Sequence, residues 1–354
     1  MRAAFFGTLI VLCGTLVAGF VHFNPQKVEI RGVYGHPQKL WDKGYHLSDL
    51  GINAVFLHEK SISHDFIKRA RKEGAKIFAE FATLNGRGYV EEHPEAWPID
   101  SSGKKVEPAT WFMGVCPTDP GFRNYRTDAL KQLLQQYEID GVWMDYVHWH
   151  AQFEDPNPIL PETCFCNKCT DKFRRQTNID VKGESITEKA RFILNYHDSS
   201  WRKWRCEVVA DWTSEFRRIV KSQNPNALLG LYHCPWSDHD FNNARYRILG
   251  LDFNMLKDHV DVFSPMVYHK RMGRQPAWVK ENIEWLSHQV EDSRIWPIVQ
   301  ASDEPAEISE KEFETVLQYG LSGNSTGVMM FTTDAVAEDH AKINVMKKMY
   351  KNLK

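Results

Sequence analysis

The stretch Tyr137-Glu138-Ile139-Asp140-Gly141-Val142-Trp143-Met144-Asp145-Tyr146 decides the fold. A short apolar burst opens at Gly141 and is broken by one carboxylate, Asp145. Such a burst, apolar on both faces, reads as a strand of a parallel sheet covered by helices. Seven more of the same kind stand along the chain: Val28–Tyr34, Asn53–His58 and Ala75–Ala82 before it, then Leu228–Cys234, Val260–Tyr268, Ile295–Ser302 and Gly327–Thr333. Helical stretches separate them. Phe66–Glu73 has helical apolar spacing, and Asp119-Pro120 opens the run Arg123–Tyr137 with a cap followed by proline. His197–Ser222 is amphipathic and carries Trp201, Trp204 and Trp212, which should pack inward; Trp278–Val290 and Lys311–Gly320 supply two more helices.

Eight strand–helix units predict an α/β fold, a closed (β/α)8 TIM barrel. A doubly wound open sheet fits less well, because the first strand-to-helix turn has no Gly-rich phosphate loop. With no linker or low-complexity stretch, one domain is expected over residues 25–350. Its longest insertions, 83–118 and 149–190, follow the third and fourth strands, on the face where barrel active sites are built.

The 354 residues carry 44 basic and 46 acidic side chains, a net charge of −2, which argues against a nucleic-acid partner. That balance suits an uncharged or mildly charged ligand. The 12 Trp, 12 Tyr and 20 Phe supply flat faces of the sort that meet sugar rings or fill cores. Residues 1–22, with Arg2 ahead of an uncharged apolar run and Val17-Ala18-Gly19 behind it, read as a signal peptide or an N-terminal membrane anchor. Export to the periplasm, the cell exterior or the membrane surface follows. The oligomeric state is not legible.

In a barrel the strand ends face the cleft, and several of them here carry polar groups. Asp145 interrupts an apolar strand, which is costly unless the acid is paired or used. Glu80 sits in Ile77-Phe78-Ala79-Glu80-Phe81. The fifth burst ends near Trp236 and Asp238, the sixth at Tyr268-His269, and the seventh runs through Gln300 to Asp303 and Glu304. Trp111, Trp149, Trp236 and Trp296 fall on or near the same rim. Carboxylates with aromatic faces are the equipment for cleaving a glycosidic bond, one carboxyl as acid and another as nucleophile or base. Glu80, Tyr146, His148, Trp236, Tyr268, Gln300 and Trp111 are the expected substrate contacts.

Pro117-Thr118-Asp119-Pro120-Gly121-Phe122-Arg123 followed by Tyr137–Tyr146 resembles the glycoside hydrolase-like barrels related to amylase-type glycosidases, which carry a P-x-x-P-x-x-R and Y-x-x-D-G-x-x-x-D-Y pattern around the fourth strand. Ser264-Pro265-Met266-Val267-Tyr268, Pro297-Ile298-Val299-Gln300-Ala301 and His93-Pro94-Glu95-Ala96-Trp97 agree with it. The resemblance implies a TIM-barrel glycosidase acting on an oligo- or polysaccharide, with Asp145 as nucleophile. It fixes no acid/base; Asp238, Asp303 and Glu304 are the candidates, and Glu304 reaches furthest across a cleft.

Cys164-Phe165-Cys166-Asn167-Lys168-Cys169, with Cys116 upstream, resembles the zinc-binding cysteines of family-42 β-galactosidases. Four thiolates suit structural zinc, whereas an exported protein favours disulfides; zinc, disulfides and free thiols all stand open. None of these makes the cluster catalytic, and no cofactor is expected in the reaction. Two other readings remain. A carbohydrate-binding barrel would have kept the cleft and lost the chemistry. A metal-dependent hydrolase of deacetylase type would use His148 and His150.

Overall fold

The computed structural model describes residues 28–353, so the leader expected at 1–22 lies outside the described residues. Eight parallel strands close into a barrel: β1 Ile30–Tyr34, β2 Ala54–His58, β3 Lys76–Ala82, β4 Gly141–Asp145, β5 Leu228–His233, β6 Val262–Val267, β7 in two pieces, Arg294–Ile295 and Ile298–Gln300, and β8 Gly327–Phe331. Each pairs with its sequence neighbour, and β1 pairs with β8 to complete the ring. The expected (β/α)8 barrel is what the chain forms, and the expected helices appear within a few residues of their predicted ends.

Registration sets which side chains point inward. Phe56 pairs with Phe78, Glu80 with Trp143 and Trp143 with Gly230, so alternate residues of neighbouring strands share one level of the barrel. Phe56, Phe78, Trp143 and Trp296 fill the middle with neighbouring ring centroids 4.6–6.0 Å apart. Trp143 fits there because Gly230 faces it: a Cβ on Gly230 would lie 2.1 Å from the indole. Both buried indoles are satisfied, Trp143 Nε1 donating to Ser264 Oγ at 2.9 Å and Trp296 Nε1 to Thr326 Oγ1 at 3.0 Å. Trp296 occupies the break between the two pieces of β7.

This corrects the expectation for three of the four rim tryptophans. Trp149, Trp236 and Trp296 are buried to 1% exposure or less. Trp149 donates to the Arg205 carbonyl, and Trp236 packs between Phe153 and Phe241. Apolar area of that size gains more by leaving water than by lining a wet cleft. Trp201, Trp204 and Trp212 of helix Asp198–Gln223 are buried as expected.

Candidate active site

Above the aromatic plug a cleft of about 920 Å³ opens at the C-terminal ends of the strands. Tyr34 of β1, Tyr232 of β5 and Phe331 of β8 line it, with Asp145 among them at the end of β4. The two long insertions wall it: Trp111, 49% exposed, comes from the loop after β3, and Glu154 to Asn157 from the loop after β4. Tyr268 and Arg271 close the β6 side, and Glu304 the β7 side.

Asp145 ends its strand because Tyr146 takes a left-handed backbone, φ 53°, unusual for a residue with a Cβ and held by its surroundings. That turn brings the Tyr146 amide to donate to Asp145 Oδ1 at 2.7 Å. Burial pushes the Asp145 carboxyl well above its ordinary range, and the nearby charges of Glu80 and Glu154 push the same way. Glu80, 3% exposed, lies beneath the floor of the cleft and accepts a hydrogen bond from the Tyr34 phenol. Burial raises its pKa too, against the pull of that bond. Burial likewise raises Glu154, while Arg271 Nη1, donating at 2.9 Å, opposes the rise.

The other expected acids divide. Glu304 lines the cleft and is exposed. Asp303 turns outward, accepting from Lys342 Nζ and the Ile308 amide at 2.7 Å each; burial opposes these bonds, which nonetheless hold its pKa low. Asp238 faces Arg245 at 2.6 Å. Both miss the cleft because a cation outside the barrel mouth competes for them.

Gln300 is also spent on structure. Its carbonyl accepts from the Arg271 amide at 3.0 Å, and its amide donates to the Ser302 and Glu304 carbonyls. Tyr268 and Tyr146 line the cleft; His148 does not. His148 Nδ1 meets the Trp149 carbonyl at 2.8 Å, and burial lowers its pKa to about 4. His150 has both nitrogens bound to backbone: Nδ1 accepts from Gly114 at 3.0 Å and Nε2 donates to Glu107 at 3.0 Å. No lone pair remains on His150 for a metal.

Glu154, Arg271, Tyr34 and Tyr232 were not singled out from the sequence. Tyr34 carried a signal, as a polar residue ending the first burst. Glu154 and Arg271 lie in loops, where no periodicity marks them.

The cysteine cluster is present. Cys116 reaches it from the loop after β3 and Cys164, Cys166 and Cys169 from the loop after β4, all buried and unbridged, with sulfurs within 4.8 Å of one another. Cys116 Sγ stands 3.4 Å from Cys169 and 3.6 Å from Cys166. A zinc tetrathiolate, with bonds of about 2.3 Å, has sulfur–sulfur edges of about 3.8 Å. The donor set therefore fits zinc. Burial pushes the Cys164 and Cys169 thiols up, so ionising all four together needs a cation.

No protein-family model matches the sequence, and no curated protein is significantly similar to it. Among solved structures, the β-galactosidase of the psychrophilic Marinomonas ef1 aligns with a TM-score of 0.66 at 10% identity, over 90% of this chain and 58% of that one. The β-galactosidase of the haloarchaeon Halorubrum lacusprofundi gives 0.67 at 11%, over 91% and 58%. The PgaB (BpsB) glycoside hydrolase domain from Bordetella bronchiseptica gives 0.65 at 12%, over 88% of this chain and 91% of that domain. The chain thus spans about 58% of the length of these two β-galactosidases. At such identities the likeness is one of fold: this is the barrel on which those glycoside hydrolases are built.

Proposed function

We propose that the chain is an exported or membrane-anchored glycoside hydrolase that cleaves O-glycosidic bonds of an oligo- or polysaccharide, with Asp145 as acid and Glu154 as its anionic partner. One observation carries this reading. Three carboxyls crowd one site, and two of them have a side-chain donor that favours the charged form: Glu80 has the Tyr34 phenol, and Glu154 has the Arg271 guanidinium. Asp145 has only the amide of its own neighbour, so the proton rests there. A carboxylic acid and a carboxylate in one cleft supply protonation of the leaving oxygen and attack at the sugar carbon, directly or through water. The resemblance to amylase-type barrels implies the nucleophile role for Asp145; the local electrostatics favour the acid.

Tyr34, Tyr268, Phe331 and Trp111 offer the apolar faces on which sugar rings would rest. Cys116, Cys164, Cys166 and Cys169 would hold a structural zinc that ties together the two loops carrying Trp111 and Glu154. With four thiolates and no open position, that ion would supply no Lewis acid to the reaction. The metal-dependent reading through His148 and His150 is disfavoured by the backbone bonds that occupy His150.

The test is hydrolysis by purified protein of a panel of aryl glycosides and polysaccharides, beside Asp145→Asn. Turnover of the polysaccharides and of glycosides with basic leaving groups that collapses in the variant supports the reading. Saccharide binding without turnover in either protein would leave a binding barrel instead.

A further inference from the structure

Resting on the glycosidase reading, we propose that the cleft is walled off on one side and takes the end of a glycan chain, so that ends are trimmed and interior bonds spared. In a barrel the loops at the strand ends build the walls of the site, and here they are of two kinds. The loops after β3 to β7 are long: residues 83–119, 146–166, 234–243, 268–276 and 301–309 precede helices Pro120–Gln136, Asn167–Thr177, Ala244–Arg247, Ala277–Val290 and Glu310–Gly320. The other three are short. Thr332 alone lies between β8 and helix Thr333–Glu338, Gly35 to Pro37 between β1 and helix Gln38–Asp42, and residues 59–63 between β2 and helix His64–Lys72. Among the described residues, none of these short loops lines the cleft, whereas Trp111, Glu154, Arg271 and Glu304 of the long ones do.

The long loops are tied to one another in unbroken order. The Gly114 amide of the β3 loop donates to His150 of the β4 loop at 3.0 Å, and Phe112 stacks on Tyr146 at 5.2 Å. Phe153 of the β4 loop packs edge-on against Trp236 of the β5 loop, with ring centroids 6.1 Å apart. Arg274 of the β6 loop donates to Asp240 of the β5 loop at 2.6 Å. The Arg271 amide is held by Gln300 of β7 at 3.0 Å, and the Gln300 amide donates to the Glu304 carbonyl at 2.6 Å. Over β5 the wall is doubled. Arg271 reaches Glu154 at 2.9 Å, and Gly273 passes so near Pro156 that a Cβ would lie 3.1 Å from the proline ring.

In a closed ring of eight strands β5 stands opposite β1, so the doubled wall faces the gap left by the short loops. A glycan gripped by its middle has to leave a cleft at two places. This cleft gives one way out, over β8 and β1, where Phe331 and Tyr34 stack at 5.2 Å. A stiff run of sugar rings does not turn back within such a space, so what fits is an end. The volume, about 920 Å³, is that of a site that encloses a small ligand, not of a groove laid along a polymer. Each cut adds one water across a bond near that end, its hydroxyl to the anomeric carbon and its proton to the departing oxygen.

The probes are α-1,4-glucan, β-1,3-glucan, β-1,4-xylan and β-1,4-galactan, each as a hexasaccharide and as a long soluble chain. Binding is measured by calorimetry with Asp145→Asn, and cleavage with the wild type as loss of viscosity against gain of reducing ends. In at least one series the variant should bind one protein per chain at either length. The wild type should release reducing ends while the viscosity of the long chain barely falls. Several proteins bound per long chain, viscosity that drops ahead of the reducing ends, or binding to none of the series overturns the inference. Interior cuts overturn it and leave the glycosidase reading standing. One protein per chain with no cleavage of any probe upholds the end site and removes the glycosidase reading.

Discussion

Arg271, on the loop after β6, donates to Glu154, on the loop after β4, at 2.9 Å across the mouth of the cleft. The bond favours a carboxylate at Glu154 against the burial that raises its pKa, and in the proposed reading Asp145, which burial and the charges of Glu80 and Glu154 push well up, is the group that takes the proton. It also joins two loops that flank the β5 sector of the barrel, and the Arg271 amide is itself fixed by Gln300 at the end of β7. One side chain thus sets both the electrostatics and the shape of the site.

The division of labour is testable by leaving group. An acid matters most when the departing oxygen is basic and least when it is already a stable anion. Asp145→Asn should lose about 10²- to 10⁴-fold on alkyl glycosides and polysaccharide but far less on dinitrophenyl glycosides. Glu154→Gln should lose activity on both alike. The reverse pattern, measured as kcat/KM over a series of leaving groups, would return Asp145 to the nucleophile role.

Arg271→Met probes the bond directly. In the proposed reading Glu154 acts as a carboxylate, so activity should climb as pH rises through its pKa. Burial pushes that pKa up and Arg271 offsets the push. Without the guanidinium the acidic limb of the kcat/KM profile should move to higher pH. A limb that stays put while KM alone changes would make Arg271 a substrate contact only.

Asp145 should make the protein less stable at neutral pH than it need be. Its pKa is raised in the folded state, so the stability it contributes is present at low pH and lost as pH rises through the raised value. Asparagine has no proton to lose. Asp145→Asn should therefore melt a few degrees above the wild type at about pH 8 and close to it at about pH 4. Equal melting temperatures at both pH values would mean that Asp145 is not buried enough to carry the proton.

The barrel was legible because its strands are buried on both faces and so stand out as apolar bursts between helices; β7 differs only in being split around Trp296. Asp145 was legible for the same reason, as a charge inside such a burst. What periodicity does not encode is the direction of a side chain beyond the strand end. Asp303 and Asp238 have the right position in sequence but the wrong partners, Lys342 and Arg245, which come from helices His340–Asn352 and Ala244–Arg247. Glu154 is the converse: its loop gives no signal, and only the fold of residues 149–190 brings it over the cleft. The tryptophans misled because density in the composition says nothing of exposure; of the four expected at the rim, Trp111 alone lines the cleft.

The cysteine cluster yields the last prediction. The four sulfurs stand within 4.8 Å of one another without a bridge, a spacing that suits thiolates around one ion better than two pairs drawn into disulfides. Purified protein should carry about one zinc per chain, and exchange with cobalt should give an intense thiolate-to-metal absorption band. Strong chelation, or Cys169→Ser, should lower the melting temperature and open the loops that hold Trp111 and Glu154 to proteolysis. If instead the protein is free of metal, and these cysteines resist alkylation in denaturant until a reductant is added, the cluster is a pair of disulfides. The two loops would then be tied by a covalent bond.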